Sequence, residues 1–239
     1  PMEKLFDLDY MLKSLPQIVE YLPVTLWIAF VSMLLGAIIG LATALIRIYK
    51  VPVLAPLSTL YVSYIRGTPL IVQLFLVYYG IPKFLYYFQS EYGFLQQFNV
   101  YVIPPELFAL LSFSLNLGGY LSETFRAAIH SVDRGQFEAA NSIGMSQTQI
   151  MLKIVLPQAL TVALPNLGNT LISTVKDTSF IFMIGVVDMM GQAKIMGARA
   201  LAFFEVYVAV SLIYWLVCII IERGLVVLEK RIRIYERSE

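Results

Sequence analysis

Charge is what this sequence has least of. Only 14% of its 239 residues are Asp, Glu, Lys or Arg, against about 25% in a soluble domain, too few to cover a solvated surface. The net charge of +1 argues against nucleic acid as a partner. Cys218 is the one cysteine and stands in an apolar run, so neither a disulfide framework nor a cysteine metal site can form. His130 is the one histidine, which excludes a histidine-rich metal centre. No Gly-x-x-x-x-Gly-Lys-[Ser/Thr] occurs, so the chain carries no phosphate-binding loop of that kind. The absence of His-Glu-x-x-His and Gly-x-Ser-x-Gly weighs against an intramembrane hydrolase.

What is present is apolar. Hydrophobic residues make up 59% of the chain, in runs long enough to cross a bilayer at about 20 residues each. The runs predict an all-α polytopic membrane protein with five transmembrane helices, at about 22–46, 57–84, 105–128, 157–175 and 203–225. Residues 1–21 read as an amphipathic segment along the membrane surface, with Phe6, Leu8, Met11, Leu12 and Leu15 among charges. Residues 22–228 form the membrane domain, with a polar loop at about 130–157, and 229–239 a basic tail. In the first span Gly36-xxx-Gly40 leaves one face small enough for close helix approach, which favours internal packing over a dimer seam. The second span is interrupted by Arg66-Gly67-Thr68-Pro69, a break tolerated only where protein or a wet cavity covers it. Placing the 130–157 loop inside puts ten basic residues on that side and five outside, a bias that sets the N-terminus outside and the C-terminus inside.

Two consecutive spans carry polar stripes at helical spacing. The third has Ser112, Asn116, Gly119, Glu123 and Arg126; the fourth has Asn166, Asn169, Ser173 and Lys176, with Asp177 adjoining. Such stripes fit the walls of one hydrated path. Alternatively, Glu123 pairs with Arg126, and Lys176 with Asp177 or another span. Lys176-Asp177-Thr178-Ser179 offers both signs of charge and two hydroxyls, the complement of a zwitterion such as a free amino acid. The candidate path residues are Asn116, Glu123, Asn166, Asn169, Ser173, Lys176, Asp177 and Thr178.

The 130–157 loop holds a small helix–turn–helix. Gln136 to Ile143 predicts about two helical turns, and Gly144 is placed to end them in a left-handed conformation. Ser146 with Gln149 predicts a capping box for the next helix. Pro157 limits how that helix continues. The full pattern, Glu138-Ala139-Ala140, three residues, Gly144, nine residues, then Ile154-Val155-Leu156-Pro157, resembles the EAA loop of membrane subunits of binding-protein-dependent ABC importers, the loop that rests on the ATPase. Together with Arg66-Gly67-Thr68-Pro69, Glu123-x-x-Arg126 and Lys176-Asp177-Thr178-Ser179, it resembles the polar amino acid branch of these permeases. The stretches 180–191 and 47–52 look most like cystine permeases.

The resemblance implies a type I ABC importer transmembrane domain in a bacterial inner membrane. It implies coupling through Glu138, Ala139, Ala140 and Gly144 to a dimer of ATP-binding subunits, which use ATP and Mg while this chain binds no cofactor. It also implies a second permease subunit, identical or a sister chain, and an extracellular binding protein that delivers an amino acid. The competing expectation is a carrier driven by an ion gradient, with Glu123 or Asp177 moving protons. The lack of an internal repeat weighs against it.

Overall fold

A computed structural model describes residues 6–93, 99 and 102–236, with side chains as far as 231. Residues 237–239 of the basic tail lie outside the described residues. Among the described residues ten α-helices follow in order: α1 Leu8–Val19, α2 Leu22–Ile48, α3 Leu54–Gly67, α4 Leu70–Tyr92, α5 Pro105–His130, α6 Arg134–Ser142, α7 Gln147–Ile150, α8 Leu156–Asp177, α9 Met189–Ala200 and α10 Phe203–Glu236. A π-helical turn, Met151–Val155, joins α7 to α8, and a 3-10 turn, Thr178–Ile184, extends α8 to Gly185. No strand occurs among the described residues.

The centre of the fold is the α2–α5 pair. In lipid, helices gain little from leaving apolar surroundings, so they associate where small residues let backbones approach. A Cβ on Gly36 would lie 2.5 Å from Leu117 Cβ, and one on Gly40 would lie 3.0 Å from the Ser122 nitrogen. Gly118 answers from α5, where a Cβ would stand 2.5 Å from Ile39. The Gly36-xxx-Gly40 face is therefore spent inside the subunit.

Among the described residues four runs are long and apolar enough to cross a membrane: Leu22–Ile48, Leu70–Tyr92, Gln147–Ile184 and Phe203–Arg231. By length and hydropathy alone that is one fewer than the five expected. The difference is α5, whose 26 residues could span the bilayer but carry Ser112, Ser114, Asn116, Ser122 and Glu123. Its buried residues, from Phe108 to Ile129, point in every direction around the helix axis. Protein covers most of it, leaving Leu107, Leu111 and Tyr120 exposed, so it needs less of a span's hydropathy.

One further boundary differs from expectation. Pro157 does not separate a loop helix from the next span. The π-helical turn widens the backbone just before it, which makes room for a ring that lacks an N–H, and α7 runs on into α8. Helix α1 buries Met11, Ser14 and Ile18 against a core shared with α9 and α10. The Asp7 N–H donates to Glu205 Oε1 at 3.0 Å, and the Tyr10 hydroxyl to the Met196 carbonyl at 3.1 Å. Asp188 caps α9 by accepting from the Gly191 N–H at 2.9 Å, and the Tyr214 hydroxyl donates to it at 3.2 Å. Burial pushes its carboxyl above the usual range.

Candidate functional site

The break between α3 and α4 faces α5 and α8 across a cavity of about 410 Å³. Helix α3 ends at Gly67, and Thr68 and Pro69 are extended, which leaves carbonyls without helical partners. Gln73, 5% exposed, meets that need. Its amide nitrogen donates to the carbonyls of Ile65 and Thr68 at 2.9 and 3.1 Å and to the Thr68 hydroxyl at 2.8 Å. Its oxygen accepts from Asn116 Nδ2 at 2.9 Å. One side chain thus closes the break and ties it to α5. Sequence reasoning missed it; the available signal is one amide in the apolar run Leu70-Ile71-Val72-Gln73-Leu74, four residues after a proline.

The cavity brings together five of the eight expected path residues: Asn116, Asn166, Asn169, Ser173 and Asp177. It adds Thr68, Tyr120, Thr170 and Thr174, which the stripes did not include. Hydrogen bonding sorts these groups. Asn116 is held by Gln73, and Asn166 Nδ2 donates to Thr124 Oγ1 at 2.7 Å. The hydroxyls of Thr170 and Thr174 each donate to the carbonyl four residues back at 2.8 Å. Among the described residues, Asn169, Ser173 and Asp177 have no side-chain hydrogen bond within the chain. They offer the cavity an amide, a hydroxyl and a carboxylate, a set that accepts an ammonium and donates to a carboxylate.

Three expected path residues lie elsewhere. Glu123 sits between two arginines, with Oε1 2.5 Å from Arg47 Nη1 and Oε2 2.6 Å from Arg126 Nη2. Its carboxylate is committed to both, which joins the end of α2 to α5. Thr178 is fully buried and donates to the Val175 carbonyl at 2.7 Å. Lys176 is exposed and lines a different cavity of about 620 Å³ with Tyr214, Trp215 and Cys218 of α10. It forms no ion pair with Asp177, because adjacent helical residues point about 100° apart.

At the other end of α8, the helix–turn–helix has the predicted caps. Asp133, which the sequence reading did not single out, accepts from the Gly135 N–H to start α6 at Arg134. Gly144 takes φ +82° just beyond it, the region where a Cβ is unfavourable. Ser146 Oγ accepts from the Gln149 N–H at 3.3 Å while Gln149 Oε1 accepts from the Ser146 N–H at 2.9 Å, a complete capping box. Ala140 is buried, packed with Ile150 and Val155. Glu138, Ala139 and Gly144 are exposed. Gln136 and Gln158 exchange amide hydrogen bonds at 3.1 and 2.5 Å, bracing α6 against the first turn of α8. The α6 face and the cavity therefore share one helical strut.

The family of binding-protein-dependent transport system inner membrane components matches residues 32–234. The L-cystine transport system permease protein TcyL of Bacillus subtilis is 42% identical over 97% of this chain and 94% of its own. A probable amino-acid ABC transporter permease protein of Vibrio harveyi is 41% identical over 91% and 92%. In structure, the chain is similar to one in a crystal structure of an amino acid ABC transporter with histidines, at TM-score 0.81 and 31% identity, covering 95% of this chain and all of that one.

Proposed function

The chain belongs to the family of binding-protein-dependent transport system inner membrane components, and from that premise we propose that it is the permease subunit of an ABC importer for polar amino acids, L-cystine first among them. The observation that carries the reading is the cavity group of Asn169, Ser173 and Asp177, left open on the same strut that ends at α6. In a spanning helix an uncommitted carboxylate is retained at a cost. Here Asp177 receives the ammonium of the amino acid, and Asn169 and Ser173 donate to its carboxylate. The likeness to the L-cystine permease protein supports that substrate, and a chain with two amino acid ends suits a path with repeated polar steps.

The exposed face of α6, with Glu138 and Ala139, rests on a separate ATPase subunit that uses ATP and Mg. Gly144 sets the angle of that face. Movement of the ATPase is passed through the Gln136–Gln158 brace to α8 and so to the cavity. Five helical crossings are retained in this reading, with α5 crossing inside a protein sheath, the N-terminus outside and the C-terminus inside a bacterial inner membrane. A second permease subunit completes the path, and an extracellular binding protein delivers the substrate. Glu123, held by two arginines, is poorly placed to carry protons.

The test is uptake of labelled L-cystine into sealed vesicles holding the permease with its ATPase and binding protein. Uptake is expected to require ATP on the ATPase side and to persist when the proton gradient is collapsed. Uptake that follows the gradient and ignores ATP would overturn the reading; ATP-driven uptake displaced by another amino acid would replace cystine alone.

A further inference from the structure

The exposed face of α8 has two charged flanks. At 100° per residue, Asn169 and Ser173 lie near its middle, Lys176 about 40° to one side and Asp177 about 60° to the other. The surroundings agree: Asp177 opens into the cavity shared with α5, and Lys176 into the one shared with α10. Among the described residues neither has an ion-pair partner on its own chain. A lysine and an aspartate without an ion-pair partner at contact distance within one span are each costly, and such groups pair with one another or face water.

We propose that a second copy of this chain supplies the missing partners: Lys176 of one protomer pairs with Asp177 of the partner subunit, and the converse pair forms across a two-fold axis parallel to α8. The inference rests on the reading of the chain as a permease that works beside a second one. When two parallel helices face each other across such an axis, the left flank of one lies beside the right flank of the other. The same relation brings g and e positions together in parallel coiled coils. Lys176 and Asp177 differ in height by one residue, about 1.5 Å, well within the reach of a lysine. An isologous interface then makes two identical pairs, and the middles of the two faces, with Asn169 and Ser173, enclose the path between them. The ammonium of an entering amino acid competes with the partner's lysine for Asp177, so the pairs form a closure that substrate can open.

Charge reversal separates this from every pairing within one chain. A Lys176→Asp chain carries two negative charges at this level, and an Asp177→Lys chain two positive ones. Each expressed alone faces like against like, and recovery of a differently tagged copy is expected to fall about tenfold. Co-expressed, the two chains complement at both pairs and recovery returns to within about twofold of the unmodified chain. Recovery no better than either chain alone would overturn the proposal, including the case where Arg66 of the partner holds Asp177 instead. A second arm uses a chain with Cys218→Ser, Lys176→Cys and Asp177→Cys. It is expected to form cross-linked dimers on mild oxidation faster than either single-cysteine chain; equal rates would count against the pairing. Both arms read assembly, so gradient-driven uptake would sink the transport reading without touching this result.

Discussion

Helices α5 and α8 carry polar residues at the same spacing, and the fold uses them in opposite ways. On α5 the stripe turns inward: Asn116 meets Gln73, and Glu123 is held by Arg47 and Arg126. Ser112 and Ser114 are buried, and among the described residues their hydroxyls have no hydrogen-bond partner. On α8 the corresponding face is exposed at Asn166, Asn169, Ser173 and Lys176. Polar periodicity in a membrane helix therefore marks a face without saying whether it is spent on structure or kept for a ligand. Partners decide, and those partners come from distant parts of the chain.

Enlarging the inner helix should break the comparison most severely. Gly118→Leu would drive a side chain into Ile39 and the Tyr61 hydroxyl, where even a Cβ would stand 2.5 and 2.7 Å away. Overpacking of about 3 kcal/mol or more is expected, with loss of folded subunit in detergent thermal melts. On α8, Asp177→Asn should leave the helical content of the single subunit nearly unchanged and reduce uptake about 10- to 100-fold, the worth of a charge-assisted hydrogen bond. Equal damage to folding and uptake would make Asp177 another structural group like Glu123.

How much of this could be read in advance divides along the same line. Local features were legible: the Ser146–Gln149 capping box, the left-handed Gly144, the break at Thr68-Pro69 and the α8 stripe all depend on residues within a turn or two. Partnerships across long separations were not. Arg47 and Glu123 stand 76 positions apart, and Asn116 and Gln73 stand 43 apart, so spacing along one helix could join Glu123 only to Arg126. The extensive burial of α5 was hidden too, because periodicity reports one face and α5 buries residues around most of its circumference. The π-helical turn before Pro157 answers a steric conflict that the sequence announces without showing its resolution.

Two smaller effects sharpen the contrast. Gln73→Leu should cost about 1–3 kcal/mol, because it strands the carbonyls of Ile65 and Thr68 at the break; its readout is a lowered melting temperature with uptake reduced in proportion. Gly144→Val should cost only about 1 kcal/mol in stability yet abolish uptake, since it re-aims α6. Retention of substrate-stimulated ATP hydrolysis in that variant would separate α6 from coupling.

The central claim is that the exposed face of α8 lines a wet path while its opposite face is packing. Single cysteines at Asn169 and at Val175, which is fully buried, in a chain carrying Cys218→Ser, test it directly with a membrane-impermeant thiol reagent. Asn169→Cys is expected to react readily, at a rate that changes when the binding protein delivers substrate, while Val175→Cys stays inert. Equal inertness at both positions would contradict the account and return the whole stripe to packing.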